Sequence, residues 1–265
     1  MASQVAQITL IQAILIGAYY WFKGCRVGYT VGVTTIFTPL PAALWVGIVL
    51  GNIPVAMSVG AALQLMYLGI IAPGGNLPQD SGLAALISCT AAVVLHIPSG
   101  AAIALAVPVG LLGAQLLNLE RIINSLWVHM ADKYAEKGNT GGIYRAGILY
   151  PILFKIPFYI IPVATALYFG TGYLAGIVKA IPAPLMNGLT VVGQMLPALG
   201  FAIVVSVIGR KYLLPYFALG FFLVAYSNIA ILPLAIFGAI IAYLHVLFTK
   251  NKNGEGGSSN VSTNS

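Results

Sequence analysis

The chain contains 265 residues, of which 60% are hydrophobic and 6% are charged, and its formal net charge is +7. A soluble domain carries about 25% charged residues, so we expect an all-α polytopic membrane protein embedded in a lipid bilayer. The basic side chains are dispersed at the ends of apolar runs, a pattern that favours anionic lipid headgroups and argues against nucleic-acid binding.

Apolar stretches follow one another along the whole chain. A bilayer-spanning helix needs about 20 apolar residues, so there is room for roughly eight to ten membrane-embedded helices. Prolines interrupt several stretches, which predicts broken helices and re-entrant hairpins around a solvated cavity. The stretches are residues 8–22, 27–51, 53–72, 82–119, 148–169, 173–181, 188–208, 213–225 and 229–248.

The composition divides the chain into four parts. Residues 1–119 form a first membrane half that carries the main candidate site, and residues 148–249 form a second membrane half. Between them, residues 120–147 alternate apolar and charged side chains at helical spacing, which predicts an amphipathic linker helix at the interface or in solution. Residues 250–265 are rich in Gly, Ser and Asn and are expected to be a disordered tail.

Two proline pairs stand at comparable places in the two membrane halves. The first is Pro39 and Pro41, and the second is Pro182 and Pro184. Paired interruptions of this kind indicate an internal repeat. Coincidence is the alternative, because the chain contains 15 prolines.

Asp80 is the most informative residue of the chain. It is the only formally charged residue between Val27 and Leu119. An ionisable group within membrane-length sequence is costly and is by default a functional-site hypothesis. The alternative is an N-cap, because Asp80 directly precedes an apolar helical run.

Further polar side chains lie near Asp80 or at comparable depth in the second half. Carboxylates and amides exchange hydrogen bonds with hydroxyl groups, and aromatic rings pack on the apolar face of a sugar. The pattern therefore predicts a polar pocket for a small solute, although an intramembrane amide can also bridge two helices. The candidates are Gln64, Tyr67, Asn76, Gln79 and Asp80 in the first half, and Asn187 and Asn228 in the second.

Other kinds of site find little support in the sequence. There is no nucleotide-binding glycine motif and no nucleophile with supporting His and Asp. His96, His129 and His245 are scattered without metal-ligand spacing, and Cys25 and Cys89 are interpreted as small buried hydrophobes. We therefore expect no catalytic residue, cofactor or metal on this chain.

Several segments together resemble a known family. These are residues 63–69 (LQLMYLG), the triplet at 78–80 (PQD), residues 83–87, 131–135, 187–189 and 211–221, and they occur in the expected order between residues 8 and 247. They are similar to the IIC membrane subunit of the mannose/fructose/sorbose class of bacterial sugar phosphotransferase systems, which includes N-acetylgalactosamine systems.

The resemblance implies a role and a set of partners. A IIC subunit lies in the bacterial cytoplasmic membrane, pairs with a second membrane subunit, IID, and assembles into trimers of IIC–IID heterodimers. Soluble IIA and IIB proteins carry the phosphoryl group on histidines, and IIC binds and moves the sugar without being phosphorylated. It implies Gln64, Asn76 and Asp80 first, then Tyr67 and Gln79, as sugar-site residues. Mannose-type hexoses and N-acetylgalactosamine both remain open.

Two other functions are compatible with the residues alone. An ion-coupled secondary transporter would use Asp80 as a proton or sodium site and would need no phosphoenolpyruvate. A non-transporting membrane scaffold would bind no solute, which the proline-broken core and clustered amides disfavour.

Overall fold

The computed structural model describes residues 8–24, 38–69, 78–208, 211–227 and 231–255. Within these ranges the chain is helical and has no strand, which confirms the all-α prediction. The α-helices are α1 (Leu10–Gly24), α2 (Pro39–Leu50), α3 (Ile53–Tyr67), α4 (Ser81–Leu95), α5 (Ser99–Glu136), α6 (Thr140–Tyr144), α7 (Tyr150–Ala180), α8 (Ala183–Ile208), α9 (Leu214–Ser227) and α10 (Ile231–Glu255). A π-helical segment, Arg145–Leu149, joins α6 to α7, and a 3₁₀ turn, Lys211–Leu213, precedes α9.

Among the described residues, three stretches are long and apolar enough to cross a bilayer: Ser99–Glu136, Thr140–Gly170 and Ala183–Val207. Other apolar helical stretches, among them Pro233–Leu247 within α10, are only 10–17 residues long. For example, α2 has 12 residues and α3 has 15, fewer than the roughly 20 that a span requires. This mixture of long spans and short apolar helices agrees with the predicted all-α membrane architecture, in which re-entrant hairpins stay a prediction.

The chain divides into two compact units, Met1–Val207 and Ile208–Ser265. The second unit contains α9 and α10, where the Tyr216 hydroxyl lies 3.0 Å from His245 Nδ1. The candidate site described below lies entirely in the first unit.

A tight turn connects α2 to α3. Gly51 has φ +75° and donates its N–H to the Gly47 carbonyl, a conformation that an L side chain rarely adopts. Asn52 then caps α3 by accepting from the Val55 N–H at 3.3 Å. Because Gly60 of α3 faces Ala43 of α2, the two arms approach closely.

Helices α1 and α7 pack side by side in opposite directions. Gly17 faces Ile160, whereas Trp21, one turn later, donates its indole N–H to the carbonyl of Ile152 at 3.4 Å. As residue numbers rise along α1, the residue numbers of its contacts on α7 fall, so the two helices are antiparallel. Tyr20 and Tyr159 are buried between the two helices with their rings edge to face, 4.8 Å apart.

The amphipathic segment is placed differently from the predicted linker helix. Residues 120–136 are the second half of α5, which continues without a break from Ser99. The helix ends at Glu136, and Gly138 just beyond it takes a left-handed conformation with φ +62°. The four-part division by composition stays a prediction.

The proline pairs both open helices. Pro39 is the first residue of α2, and Pro182 precedes α8, whose second residue is Pro184. This placement is compatible with an internal repeat, which stays a prediction. The tail predicted to be disordered begins at residue 250, but α10 continues into it as far as Glu255. Residues 256–265 lie outside the described residues.

Candidate functional site

Asp80 caps the N-terminus of α4. Its Oδ1 accepts hydrogen bonds from the backbone N–H groups of Gly82 at 2.9 Å and Leu83 at 3.0 Å. The first N–H groups of a helix lack intrahelical partners and favour an anion. The capping alternative is therefore the observed local geometry, and the residue is fully buried, with 0% exposure.

Helix α1 supplies the other partners of this carboxylate. The Lys23 ammonium forms an ion pair with Oδ1, and the Tyr20 hydroxyl donates to Oδ2 at 2.9 Å. We call Asp80 with Lys23, Tyr20 and the two capping amides the Asp80 node. Its charge is balanced and both oxygens are occupied, as a buried charge requires.

Two glycines of α5 allow that helix to approach the node. A Cβ on Gly113 would lie 2.7 Å from the Asp80 Cβ, and a Cβ on Gly110 would lie 2.8 Å from the Tyr67 hydroxyl. The Asp80 N–H donates to the Gly110 carbonyl at 2.9 Å, and the Tyr67 hydroxyl donates to the Ala106 carbonyl at 3.1 Å. Hydrogen bonds from Asp80 and Tyr67 therefore hold the middle of α5 in place. In the same stretch Pro108 lacks an N–H, so one hydrogen bond of the helix itself is missing.

Gln79 provides an unoccupied acceptor beside this node. Its Oε1 is buried and has no hydrogen-bond partner among the described residues. Its Cβ lies 3.5 Å from the position that a Gly110 Cβ would take, so it shares the α5 contact with Tyr67 and Asp80. Buried polar atoms are normally hydrogen-bonded, and one left open needs an explanation such as a ligand.

The structure gathers some predicted site residues and separates others. Tyr67, Gln79 and Asp80 meet at Gly110 of α5. Gln64, one turn before Tyr67 on α3, accepts from the Leu40 N–H at 3.3 Å at the start of α2. Asn187 is exposed on α8. The predicted residues Asn76 and Asn228 lie outside the described residues.

Sequence reasoning missed a second buried ion pair. Lys155 of α7 lies 2.7 Å from Glu120 of α5, and Glu120 also accepts from the Tyr159 hydroxyl at 2.5 Å and from Asn124 Nδ2 at 2.8 Å. The edge-to-face contact between the rings of Tyr20 and Tyr159 connects this pair to the Asp80 node.

A simple signal could have found these residues. An isolated ionisable side chain in apolar sequence marks a candidate functional position. Glu120 follows an apolar run and Lys155 interrupts another, so the rule that selects Asp80 applies to both. Lys23 lies at the end of an apolar run, and nothing in the sequence shows its pairing with a residue 57 positions away.

The chemistry of the site is that of hydrogen-bonding side chains and one ion pair. Over the described ranges, no group of three His, Cys, Asp or Glu side chains is arranged to hold a metal ion. The site offers one acceptor without a partner among the described residues, Gln79 Oε1, beside a buried, charge-balanced polar node. A hydroxyl group of a neutral solute is a donor that suits this acceptor.

Comparison with known proteins identifies the family. A family model described as the sorbose-specific IIC component of the PTS system matches residues 10–244. The chain belongs to this IIC family. The predicted resemblance is thereby confirmed, and the chain is a component of a membrane permease.

Curated relatives of this IIC chain cover nearly its full length. The mannose-specific EIIC component of Escherichia coli K12 is 31% identical, over 93% of this chain and 92% of that protein. The sorbose-specific EIIC component of Lacticaseibacillus casei is 30% identical, over 95% and 92%. The N-acetylgalactosamine permease IIC component 1 of E. coli is 27% identical, over 93% and 91%.

Two solved structures resemble the IIC chain. One, described as the structure of a membrane protein, is 30% identical with a TM-score of 0.81, and the match covers 93% of this chain and 99% of that one. The other is the mannose transporter ManYZ in complex with microcin E492, at 31% identity and a TM-score of 0.56, covering 91% and 96%.

Proposed function

We propose that this chain is the sugar-binding and translocating IIC subunit of a phosphoenolpyruvate-dependent phosphotransferase system. It imports a hexose or hexosamine across the bacterial cytoplasmic membrane. The family membership supports this function, and relatives named for mannose, sorbose and N-acetylgalactosamine support the substrate class.

The proposed sugar site rests on Gln79 Oε1, an acceptor without a hydrogen-bond partner among the described residues. A sugar hydroxyl is a hydrogen-bond donor that would satisfy the buried Oε1. Tyr67 and Asp80 border the same part of α5, but their polar atoms are already engaged. In this proposal Gln79 contacts the sugar, while Asp80 and Tyr67 are positioning residues that hold Gln79 and α5 in place.

The Asp80 node also argues against ion-coupled transport. A coupling site for sodium needs free oxygen ligands, whereas both oxygens of Asp80 accept from protein donors. The Lys23 ammonium already supplies the countercharge. Relatives named as phosphotransferase components agree with this conclusion.

The proposed transport cycle needs other proteins. IIC pairs with a IID membrane subunit, in trimers of IIC–IID heterodimers, and soluble IIA and IIB proteins bring the phosphoryl group. IIB phosphorylates the sugar as it is released inward. The sugar phosphate then stays inside because a charged group crosses hydrocarbon only at high cost.

Uptake by membrane vesicles tests the function. Vesicles that contain this chain and its IID partner, loaded with IIA, IIB and the general phosphocarrier proteins, are given radiolabelled hexoses and hexosamines with and without phosphoenolpyruvate. We expect one sugar to accumulate as its phosphate, and only when phosphoenolpyruvate is present. Accumulation of unmodified sugar by this chain alone, abolished by an ionophore, would contradict the proposal.

A further inference from the structure

A groove runs between α9 and α10, within the second compact unit, Ile208–Ser265. It encloses about 490 Å³ and is lined by these two helices and by the 3₁₀ turn before α9. We call it the α9–α10 groove. Gly220 lines it from α9 and Gly238 from α10. Among the described residues, no side chain and no backbone of another element lies within 4 Å of the place where a Cβ would be on either glycine. The middle of the groove is therefore open.

The two helices meet at one end of the groove. The Tyr216 hydroxyl, in the first turn of α9, lies 3.0 Å from His245 Nδ1 of α10, and the two rings are edge to face with their centroids 5.5 Å apart. We call these residues the Tyr216–His245 pair. Tyr212 lines the same end of the groove. Because the start of α9 meets the late part of α10 here, the helices are antiparallel, and the polar side chains of the lining are all at this end.

Away from the Tyr216–His245 pair the lining is apolar. On α9 it continues to Leu223, seven residues beyond the pair, and on α10 to Leu234, eleven residues before the pair. At 1.5 Å per residue these distances are about 10 Å and about 16 Å. The hydrocarbon of one leaflet is about 15 Å thick, half of the bilayer core. The apolar part of the groove therefore has the length of an acyl chain in one leaflet.

Basic residues flank the polar end of the groove. Lys211 comes five residues before Tyr216, and Lys250 comes five residues after His245. In antiparallel helices both positions lie beyond the pair, on the side away from the apolar lining. The segments 210–211 and 250–252 contain four basic residues, whereas the single acidic side chain between residues 208 and 265 is Glu255. This end of the unit therefore carries a net positive charge, as is typical of segments at an anionic membrane surface.

We propose that the α9–α10 groove binds one anionic phospholipid. An acyl chain follows the apolar lining, and the phosphate headgroup lies at the basic end. The polar end is at the interface and the apolar end points towards the bilayer centre, which is the orientation that a lipid has in its own leaflet. The excess of basic residues favours an anionic headgroup over a zwitterionic one.

The charge at the polar end also distinguishes a lipid from a protein occupant. A transmembrane helix of a partner would fill the apolar gap, but it would leave the basic end without a role. The groove is formed by residues 212–246, apart from Gln79, so this inference does not depend on the proposed function.

Native mass spectrometry of the detergent-solubilised full chain, alone and in complex with IID, tests the proposal by titration with palmitoyl-oleoyl phosphatidylglycerol. We expect one lipid to bind more tightly than those that follow. Gly220→Leu and Gly238→Leu, which add bulk to residues that line the groove, should each weaken binding of this lipid about tenfold. The matched control is Gly170→Leu, because Gly170 of α7 also has open space at its Cβ position among the described residues but does not line the groove.

A second set of variants tests the charge and keeps the groove intact, so it decides the question even where a glycine variant does not fold. Lys211→Gln combined with Lys250→Gln should weaken phosphatidylglycerol binding about tenfold and leave phosphatidylcholine binding unchanged. The control is Lys133→Gln combined with Lys137→Gln, which removes the same charge from the exposed end of α5 and should leave the affinity unchanged.

Four results would overturn the proposal. Binding by both groove-filling variants equal to that of the unmodified chain would show that the lipid lies elsewhere. Equal affinity for phosphatidylcholine would remove the argument for an anionic lipid. An equal loss in the Lys133 and Lys137 control would show that the charge acts without a defined site. Phosphatidylglycerol retained by the chain alone but excluded by IID would show that the partner protein, and not a lipid, fills the groove.

Discussion

Asp80 is a buried carboxylate paired with the Lys23 ammonium. It has no exposed surface, and its partners come from α1 and from the backbone of its own helix. Taking a carboxylate and an ammonium out of water is expensive, and their attraction offsets this cost only when further hydrogen bonds satisfy the remaining atoms. Tyr20 and the two capping amides supply those bonds.

Removing the ammonium should therefore destabilise the protein. We expect Lys23→Met to lower the free energy of unfolding by about 3–5 kcal/mol, because it leaves Asp80 buried and unpaired. Asp80→Asn in the same chain should recover part of that loss, since a neutral amide oxygen still accepts from the N–H groups of α4. Thermal unfolding in detergent measures both variants.

The control for this experiment is Lys133→Met, because Lys133 is exposed on α5. Its unfolding temperature should stay close to that of the unmodified chain. If Lys23→Met is as stable as Lys133→Met, the ion pair with Asp80 does not hold α1 to α4.

At the residue scale the sequence predicted where polarity concentrates but not how it is used. The rule for isolated intramembrane charges selected Asp80, and the N-cap was visible in the Ser81–Leu95 run that follows it. The partners Lys23 and Tyr20 come from a helix about 60 residues earlier, so no local pattern reveals them. Gln79 is a candidate from the sequence because it directly precedes Asp80. Only the fold shows that its Oε1 is buried without a hydrogen-bond partner among the described residues.

At the scale of helices, α5 approaches the Asp80 node through its glycines. A Cβ on Gly113 would lie 2.7 Å from the Asp80 Cβ and 3.0 Å from Leu83 Cδ2. Both neighbours belong to the start of α4, which the capping interactions hold in place. Even a methyl group therefore has to push α5 away from α4.

Gly113→Ala should accordingly destabilise the chain by about 1–3 kcal/mol through overpacking. The matched control is Gly170→Ala in α7, where no other atom lies within 4 Å of the added methyl and where the change should be neutral or slightly stabilising. Unfolding temperatures of the two variants check this expectation. An unchanged unfolding temperature in Gly113→Ala would show that α5 can move away from α4 at little cost in stability.

At the scale of the whole molecule, hydropathy predicted the class of fold but not the helix boundaries. Apolar runs interrupted by proline predicted a mixture of long membrane-spanning helices and short helices. The amphipathic segment after Glu120 was predicted as a separate linker, yet it continues α5, because no residue between Leu119 and Glu136 stops a helix. Whether a helix continues through such a segment depends on its packing, whereas the sequence pattern shows only which positions are polar.

The packing of α1 against α7 was equally outside sequence reasoning. These helices are about 140 residues apart along the chain, and they bring together Tyr20 and Tyr159, each bonded to a different buried carboxylate. The contact joins the Asp80 node to the ion pair between Glu120 and Lys155. Family membership, in contrast, could be inferred from the ordered segments between residues 63 and 221.

Equilibrium binding of a radiolabelled sugar to the purified IIC–IID complex tests the central claim most directly. We predict that Gln79→Leu weakens binding about tenfold, the value of one lost hydrogen bond. Its unfolding temperature should not fall, because Oε1 has no partner within the described chain to lose. Gln115→Leu, on the exposed side of α5, should bind normally. Unchanged affinity in Gln79→Leu, or an equal loss in Gln115→Leu, would contradict the proposed sugar site.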